Sequence, residues 1–370
     1  MTTDTIISAD SHMVEPPDLW LERLDKKFRD RAPRVFFEKD KEAWFFGNSE
    51  LPPFPCASLY AAGKTPEEYV EHQKAGFEAA REGGWDPAER IKDMEMDGVS
   101  GEVLYTSLGC TLFWLEDAAL QEACFRVYND WLAAFVSHAP ERFAGLALIS
   151  MWNVDNAVKE LERSRKRGLK GAMVWSSPPA GRAFAAAEYD RFWSAAEDLA
   201  MPISLHIITG RRESALLADH SMTIYQRRMG LLAEIQRSLT DILFSGLLER
   251  FSRLKLVSAE NDIGWIAYFL QRADKFYHRM RYTHPTELTM APSEYFKRQV
   301  FATFMTDPVG TMILDHLGAN NFLWSSDYPH QASTWPNSRD IIARDFANVP
   351  AETKQKIVHD NCATLYGFTV

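Results

Sequence analysis

The sequence predicts an α/β protein built as a (β/α)8 barrel. Two observations support this fold. Eight short apolar runs are spread along 370 residues, and amphipathic stretches alternate with them. Continuous apolar runs are typical of strands buried on both faces, and their alternation with helices is typical of parallel sheets. A doubly wound sheet alternates in the same way, so the count of elements leaves that fold open.

The eight predicted strands take their limits from the apolar runs. The first contains "TIISAD", and the last, "NFLWSSD", passes from buried-type residues into a polar group after Trp324. The full set comprises residues 5–10, 101–107, 142–150, 169–177, 201–207, 253–260, 299–304 and 321–327. Eight parallel strands with intervening helices are the number that closes a (β/α)8 barrel.

The clearest predicted helix covers residues 117–139. Its apolar residues recur every three or four positions and form one stripe, the pattern of a helix with one buried face. The stripe consists of Leu120, Cys124, Val127, Trp131 and Phe135. Residues 153–168 and 189–200 are amphipathic in the same way, and residues 224–251 supply helical material between the fifth and sixth strands.

Residues 11–90 interrupt the alternation. They contain no clean strand, many aromatic residues and several prolines, as in "EPPDLW" and "LPPFPCASLY". An excursion of this length is typical of a functional lid, and aromatic residues are also enriched at subunit contacts. Because nothing resembles a linker, we expect one domain over residues 1–370, in which residues 13–90 form a lid or oligomerisation insertion.

The composition argues against several functional classes. The net charge of -10 disfavours nucleic-acid binding, which needs a basic face. No apolar stretch approaches 18 residues, so no membrane span is expected. The amino-terminal segment lacks the basic and apolar regions of a secretory signal. The four cysteines form no CxxC pair, which predicts free thiols in a reducing cytoplasm.

Polar residues follow four of the predicted strands at their carboxyl ends. Asp10 and His12, with Glu15 close behind, end the first strand. His206 ends the fifth strand, Glu260 ends the sixth, and Asp327 with His330 ends the eighth. In a barrel these ends surround one mouth, where active sites form. Imidazoles and carboxylates at one place suit zinc, manganese or iron better than calcium.

Each of these residues also has a purely structural explanation. A single Asp-x-His motif is weak evidence for a metal. His206 could be a core histidine bonded to a backbone carbonyl, Asp327 could cap a helix, and Glu260 could form an ion pair with an arginine. Four such sites at four predicted strand ends are harder to explain separately. The combination therefore favours a metal site.

Several motifs together resemble the amidohydrolase-2 family, the branch of the amidohydrolase superfamily related to aminocarboxymuconate-semialdehyde decarboxylase. The motifs are "SADSHMVEPPDLW", "SLHIITG", "LVSAENDIGW", "WSSDYPHQASTWPNS" and "KIVHDNCATLYGF", and the likeness covers nearly the whole chain. The resemblance implies a distorted (β/α)8 TIM barrel with a metal at its mouth. It implies Asp10, His12, His206 and Asp327 as the ligands.

The sequence departs from the family pattern at two positions. Asp10 stands where the first motif often has histidine, as in the Glu-x-His and Asp-x-His members. Glu260 stands where many decarboxylases of the family have an acid-base histidine.

The first functional hypothesis is a hydrolase or decarboxylase with one zinc or manganese ion. It would hydrolyse a C–N, C–O or C–C bond, or remove a carboxylate without oxidation. Asp327 would exchange a proton at the metal centre, and Glu260 or His330 would pass it on. Arg211 and Arg212 could bind a substrate carboxylate, although a solvated loop is the slightly better explanation for both.

Two further hypotheses use the same residues differently. With Glu15 and Glu260 as second-metal ligands, the site would hold two iron ions, or iron with manganese, and would hydroxylate its substrate with oxygen. Alternatively, the chain is a catalytically degenerate partner subunit that keeps its ligands.

The aromatic content points to the substrate and to a partner subunit. Aromatic residues make up 12 % of the chain, and Trp20, Trp44, Trp85 and Trp114 lie in or near the long insertion. A small aromatic or carboxylated substrate contacted by Trp85 would account for part of this content. A homodimer or larger homo-oligomer, as the family resemblance implies, would account for the rest.

Overall fold

The computed structural model describes residues 5–210 and 221–370. Eight parallel strands form one sheet. In their order across the sheet they are β1 (Ile7–His12), β5 (Gly101–Tyr105), β6 (Phe143–Leu148), β7 (Gly171–Val174), β8 (Ile203–His206), β9 (Leu256–Ala259), β10 (Val300–Phe304) and β11 (Phe322–Trp324). Each lies within or overlaps one of the eight predicted runs, which confirms the (β/α)8 barrel.

The first and last barrel strands meet through their carboxyl ends. The N–H of Asp327 donates to the carbonyl of Asp10 at 2.9 Å, and the N–H of His12 donates to the carbonyl of Tyr328 at 2.6 Å. Both bonds involve residues at or beyond the strand ends. The residues that close the barrel are therefore the residues predicted to bind the metal, or their neighbours.

The helices cover the outside of the barrel. The helices α1 to α15 are Leu19–Arg23, Pro66–Ala75, Pro87–Asp97, Ala118–Val136, Val154–Lys166, Asp190–Asp198, Ile224–Phe244, Leu247–Arg250, Ile266–Met280, Pro292–Gln299, Pro308–Met312, Leu314–Leu317, Ser338–Asp345, Ala351–Gln355 and Asn361–Tyr366. The predicted helices at 117–139, 153–168 and 189–200 are confirmed as α4, α5 and α6. None of the described helices has the length and apolar character needed to cross a membrane.

The expectation that residues 11–90 contain no strand is wrong. Arg34–Glu38 (β2), Ala43–Gly47 (β3) and Phe54–Pro55 (β4) form a separate antiparallel sheet. Its aromatic residues pair across strands, with Phe36 opposite Phe45. The strands were hard to predict because aromatic residues occupy both faces of β2 and β3, and because the two-residue β4 follows two prolines and contains a third.

Candidate metal centre

Four predicted ligands converge at the carboxyl ends of three barrel strands. Asp10 and His12 belong to β1, His206 is the last residue of β8, and Asp327 follows β11. All four are at most 2 % exposed. His12 Nε2 lies 3.4 Å from Asp10 Oδ1 and 3.4 Å from Asp327 Oδ1. His206 Nε2 lies 3.3 Å from His12 Nε2 and 3.7 Å from Asp10 Oδ1.

These donor atoms fit a divalent cation. Ligand bonds of about 2.0–2.2 Å place neighbouring ligand atoms about 3.0–3.6 Å apart, close to the separations seen here. Asp10 Oδ1 is buried and has no hydrogen-bond partner among the described residues, whereas the buried Asp327 Oδ1 lies 2.8 Å from His330 Nδ1. Buried carboxylate oxygens rarely lack a partner, so a cation at this place explains Asp10 Oδ1.

The two histidines are held with one nitrogen directed at the cluster. His12 Nδ1 lies 2.8 Å from the carbonyl of Thr106, and His206 Nδ1 lies 2.8 Å from the carbonyl of Ile207. A carbonyl can only accept, so Nδ1 carries the hydrogen on both rings. The Nε2 lone pairs are therefore free for a metal, with the outer hydrogen bonds that metal-binding histidines typically make.

Thr303 in β10 holds two carboxyl-bearing residues of the site, a role that was not predicted from the sequence. Its hydroxyl donates to Asp10 Oδ2 at 3.0 Å and accepts from the N–H of Glu260 at 2.9 Å. The side chain is fully buried. A threonine inside an apolar run looks like an ordinary strand residue, so only the barrel geometry identifies its contacts.

Glu260 lies at the open side of the cluster. Its Oε2 is 3.4 Å from His206 Nε2, and its side chain is 29 % exposed. Its φ of 57° is a left-handed conformation uncommon for glutamate, and Asp327 has the same φ. Burial, reinforced by repulsion from Asp327, raises the pKa of Glu260 to about 8. In the metal-free protein Glu260 is thus a neutral acid near pH 7.

His330 contacts the cluster from the β11 side. Its Nδ1 is 2.8 Å from Asp327 Oδ1, and its Nε2 is 2.9 Å from the Ser107 hydroxyl. The ring stacks on His12, with centroids 4.0 Å apart. Burial, together with repulsion by His206, lowers the pKa of His330 to about 3, and burial raises the pKa of Asp327 to about 7.

Glu15 lies outside this cluster, contrary to its expected role as a second-metal ligand. Its carboxylate accepts the N–H groups of Ser107, Leu108 and Gly109 at 3.0–3.2 Å, and also the Thr106 hydroxyl. These donors open the short helix after β5. The structure therefore uses Glu15 as a helix cap, because unpaired N–H groups at a buried helix start need acceptors.

Of the three predicted substrate residues, the structure describes only Trp85. Trp85 stacks on Phe77 with ring centroids 4.3 Å apart, and both rings pack against the hydrophobic core. Arg211 and Arg212 lie outside the described residues. A contact between any of these three and a substrate stays a prediction.

Comparison with known proteins gives one family and several relatives. The family model described as Amidohydrolase matches residues 18–368. A gamma-resorcylate decarboxylase of Polaromonas sp. strain JS666 is 25 % identical over 69 % of this chain and 82 % of its own length. An amidohydrolase of Mycobacterium avium subsp. paratuberculosis K-10 aligns over 100 % of both chains with a TM-score of 0.81 at 18 % identity.

A third comparison involves a metal-bound structure. The dihydroxybenzoic acid decarboxylase of Polaromonas sp. JS666, solved with manganese and 2-nitroresorcinol, has a TM-score of 0.66 at 17 % identity. The alignment covers 100 % of this chain and 98 % of that one.

Proposed function

Because the chain belongs to the amidohydrolase family, we propose that it is a metal-dependent decarboxylase of a small aromatic carboxylate. The observation that carries this proposal is Glu260, a carboxylic acid that contacts the cluster of candidate metal ligands and faces its open side. The relatives from Polaromonas act on gamma-resorcylate and dihydroxybenzoic acid, as their names state, and the second contains manganese. Hydroxylated benzoates are therefore the first substrate class to consider.

The proposed metal ligands are Asp10, His12, His206 and Asp327. Two imidazoles with two carboxylates suit manganese or zinc, and iron is the alternative. A bound ion supplies positive charge that attracts an anionic substrate and stabilises negative charge on its oxygens.

Glu260 is the proposed proton donor. Its proton is transferred to the ring carbon that carries the carboxylate. The bond between that carbon and the carboxylate then breaks, its electron pair remains in the ring, and carbon dioxide leaves. The Glu260 carboxylate regains a proton from solvent through its exposed side. The reaction consumes one proton and needs no oxidant.

His330 and Asp327 would support this step as a proton-carrying pair. The 2.8 Å contact between them and the contact of His330 with Ser107 form a polar path beside the cluster. In the metal-free protein burial raises the pKa of the Asp327 carboxyl to about 7, so it gains and loses a proton near neutral pH there. The same property would serve hydrolysis, in which Asp327 takes a proton from water.

The test is turnover of hydroxybenzoates by manganese-loaded protein. We expect carbon dioxide release from 2,6-dihydroxybenzoate or a related acid, and one deuterium at the former carboxylate position when the reaction runs in D2O. Glu260→Gln should lower kcat while metal content stays at the wild-type level. Hydrolysis of lactones or amides by the wild type, with no decarboxylation of any hydroxybenzoate, would overturn the proposal.

Dinuclear oxygen chemistry remains a separate hypothesis with a simple test. The capping role of Glu15 removes one of the two proposed second-metal ligands and leaves Glu260. We expect about one manganese or zinc per chain by elemental mass spectrometry. Two ions per chain including iron, with oxygen consumption in the presence of a reductant, would instead support the hydroxylase.

A homo-oligomer is also proposed, and an exposed apolar face on α7 and α9 supports it. Most of the exposed large apolar residues in the described parts of the chain lie on these two helices or just after α9: Ile224, Tyr225, Met229, Phe244, Tyr268, Phe276, Met280 and Tyr282. A groove of about 710 Å³ separates the helices and is lined by Phe244, Trp265, Tyr268, Phe269 and Phe276. Large exposed apolar patches are typical of protein contacts.

Light scattering on Tyr268→Glu and Val70→Glu tests this face. Both side chains are well exposed, at 66 % and 57 %, so neither change should unfold the chain. Dissociation by Tyr268→Glu alone would support the α7–α9 face. Dissociation by Val70→Glu alone would support the insertion at 13–90 as the contact surface, and a monomeric wild type would overturn the proposed oligomer.

A cytoplasmic location is proposed as well, supported by the four free cysteines.

A further inference from the structure

Arg90 in α3 is a buried arginine next to the metal cluster. Its side chain is 0 % exposed. Nε lies 2.6 Å from Glu102 Oε2 in a buried ion pair. Nη1 donates to the carbonyls of His12 at 2.9 Å and Gly83 at 3.2 Å. The guanidinium carbon lies 4.4 Å from the centre of the Tyr328 ring.

These contacts join the two chain segments that close the barrel. His12 is a candidate ligand at the end of β1, and Tyr328 directly follows the candidate ligand Asp327. The N–H of His12 donates to the carbonyl of Tyr328. Arg90 therefore touches both partners of this hydrogen bond, with one N–H on the His12 carbonyl and its flat face on the Tyr328 ring.

Tyr328 is held from its other end as well. Its hydroxyl donates to Asp93, which also accepts from Arg81 Nε at 3.1 Å. Arg81 in turn stacks on Trp335, 4.5 Å from the ring centre. The ring next to Asp327 is thus fixed on its face by Arg90 and at its hydroxyl by Asp93.

Stability alone does not explain a charge at this place. Burying a charged pair costs solvation, and well-packed apolar side chains often stabilise a core equally well. A guanidinium differs from them because it directs several donors in fixed directions and stacks on an aromatic ring. One of its nitrogens, Nη2, has no acceptor among the described residues. The position of Arg90 therefore does not satisfy all of its hydrogen-bond donors.

We propose that Arg90 is a positioning residue of the metal centre. It holds the His12 backbone and the Tyr328 ring together, so that His12 Nε2 and Asp327 Oδ1 stay 3.4 Å apart and share one ion. As a positioning residue, Arg90 contacts neither the substrate nor the metal. The inference rests on the proposed metal-dependent function.

The experiment compares manganese binding in five variants. Arg90→Lys keeps the charge but loses the planar guanidinium group with its several N–H donors. Arg90→Met removes both the charge and the donors. Arg142→Met is the matched control. Arg142 donates to the carbonyls of Val99 and Ser100, which lie just before β5, at the end of that strand away from the candidate metal ligands. The fourth variant, Tyr328→Leu, removes the stacked ring, with Tyr328→Phe as its own control.

The readouts are the manganese dissociation constant by electron paramagnetic resonance and the melting temperature of the metal-free protein. Outer contacts of metal ligands typically change metal affinity by about 10- to 100-fold. We expect a loss of this size in both Arg90 variants and in Tyr328→Leu. Arg142→Met should lower the melting temperature and keep the wild-type dissociation constant.

Each outcome has a distinct meaning. Wild-type affinity in a folded Arg90→Met protein would overturn the positioning role, as would an equal loss of affinity in Arg142→Met. If neither Arg90 variant folds, the manganese affinities of Tyr328→Leu and Tyr328→Phe are compared. Equal affinities in these two variants would overturn the inference, and weaker binding by the leucine variant would support it. A wild type that binds no manganese or zinc would instead overturn the proposed function.

Discussion

Replacing Thr303 by valine tests whether one hydroxyl organises the metal centre. Valine has nearly the same shape as threonine, so the change leaves packing intact and removes only the hydroxyl. Asp10 Oδ2 and the N–H of Glu260 then both lose the partner that they have in the structure. The two losses have separate consequences, because Asp10 is a candidate ligand and Glu260 is the proposed acid.

The magnitudes follow from these two contacts. Each buried polar group left unpaired costs about 1–3 kcal/mol, so the variant should lose about 2–6 kcal/mol of stability. For 370 residues the entropy of unfolding is about 0.8 kcal/mol per kelvin, which converts this loss into a melting temperature lower by about 3–8 °C. Metal affinity should fall about 10- to 100-fold, the usual effect of losing an outer hydrogen bond on a ligand.

Thermal unfolding of the metal-free protein and competition with a chelator for manganese measure the two effects. Thr303→Ser is the control, since it keeps the hydroxyl and loses only a methyl group. We expect the serine variant to bind manganese like the wild type. A valine variant that binds as tightly as the serine variant would refute the role assigned to Thr303, whatever its melting temperature.

Four further predictions concern carboxylates in or near the site. Glu15→Gln should lower the melting temperature and leave metal content unchanged, because Glu15 caps a helix; elemental analysis showing lost metal would contradict this. Asp327→Asn should stay folded by circular dichroism and lose turnover, so wild-type activity in that variant would rule out Asp327 as a ligand. Manganese affinity should fall about tenfold from pH 8 to pH 6, because the pKa of Asp327 is about 7 and a metal must displace the proton that Asp327 holds below that value. The metal-free protein should also lose stability as the pH rises from about 4 to about 8, because the folded state keeps protons on Asp327 and Glu260 that the unfolded chain releases near pH 4; calorimetry showing the opposite trend would contradict it.

The sequence was sufficient to predict the barrel and the convergence of the four candidate ligands at its mouth. Strands buried on both faces leave continuous apolar runs, and the polar residue that ends each run marks the mouth. Thr303 and Arg90 could not be found in this way. A threonine in a strand and an arginine in a helix carry no periodic signal, and their contacts depend on segments far away in the chain.

Glu15 shows a different limit of sequence reasoning. Its position near Asp10 and His12 suggested a ligand, and the structure instead places it against the start of a helix after β5. The choice between a cation and backbone N–H groups as partner depends on which donors fold over the carboxylate. That information lies in the packing of residues 106–109, some ninety positions away, and local composition does not contain it.

The closure of the barrel also has a consequence for how the chain reaches its active form. Ser8 and Ser326 are 318 positions apart in sequence, yet their hydroxyls lie 3.1 Å from each other. Asp10 and Asp327, which flank this contact, become neighbours only when the two ends of the barrel have joined. A metal bound by both carboxylates therefore stabilises a chain that includes both barrel ends. It gives no stability to a fragment that stops before β11. During synthesis the centre forms last, and a protein truncated by a few dozen residues should be metal-free as well as inactive.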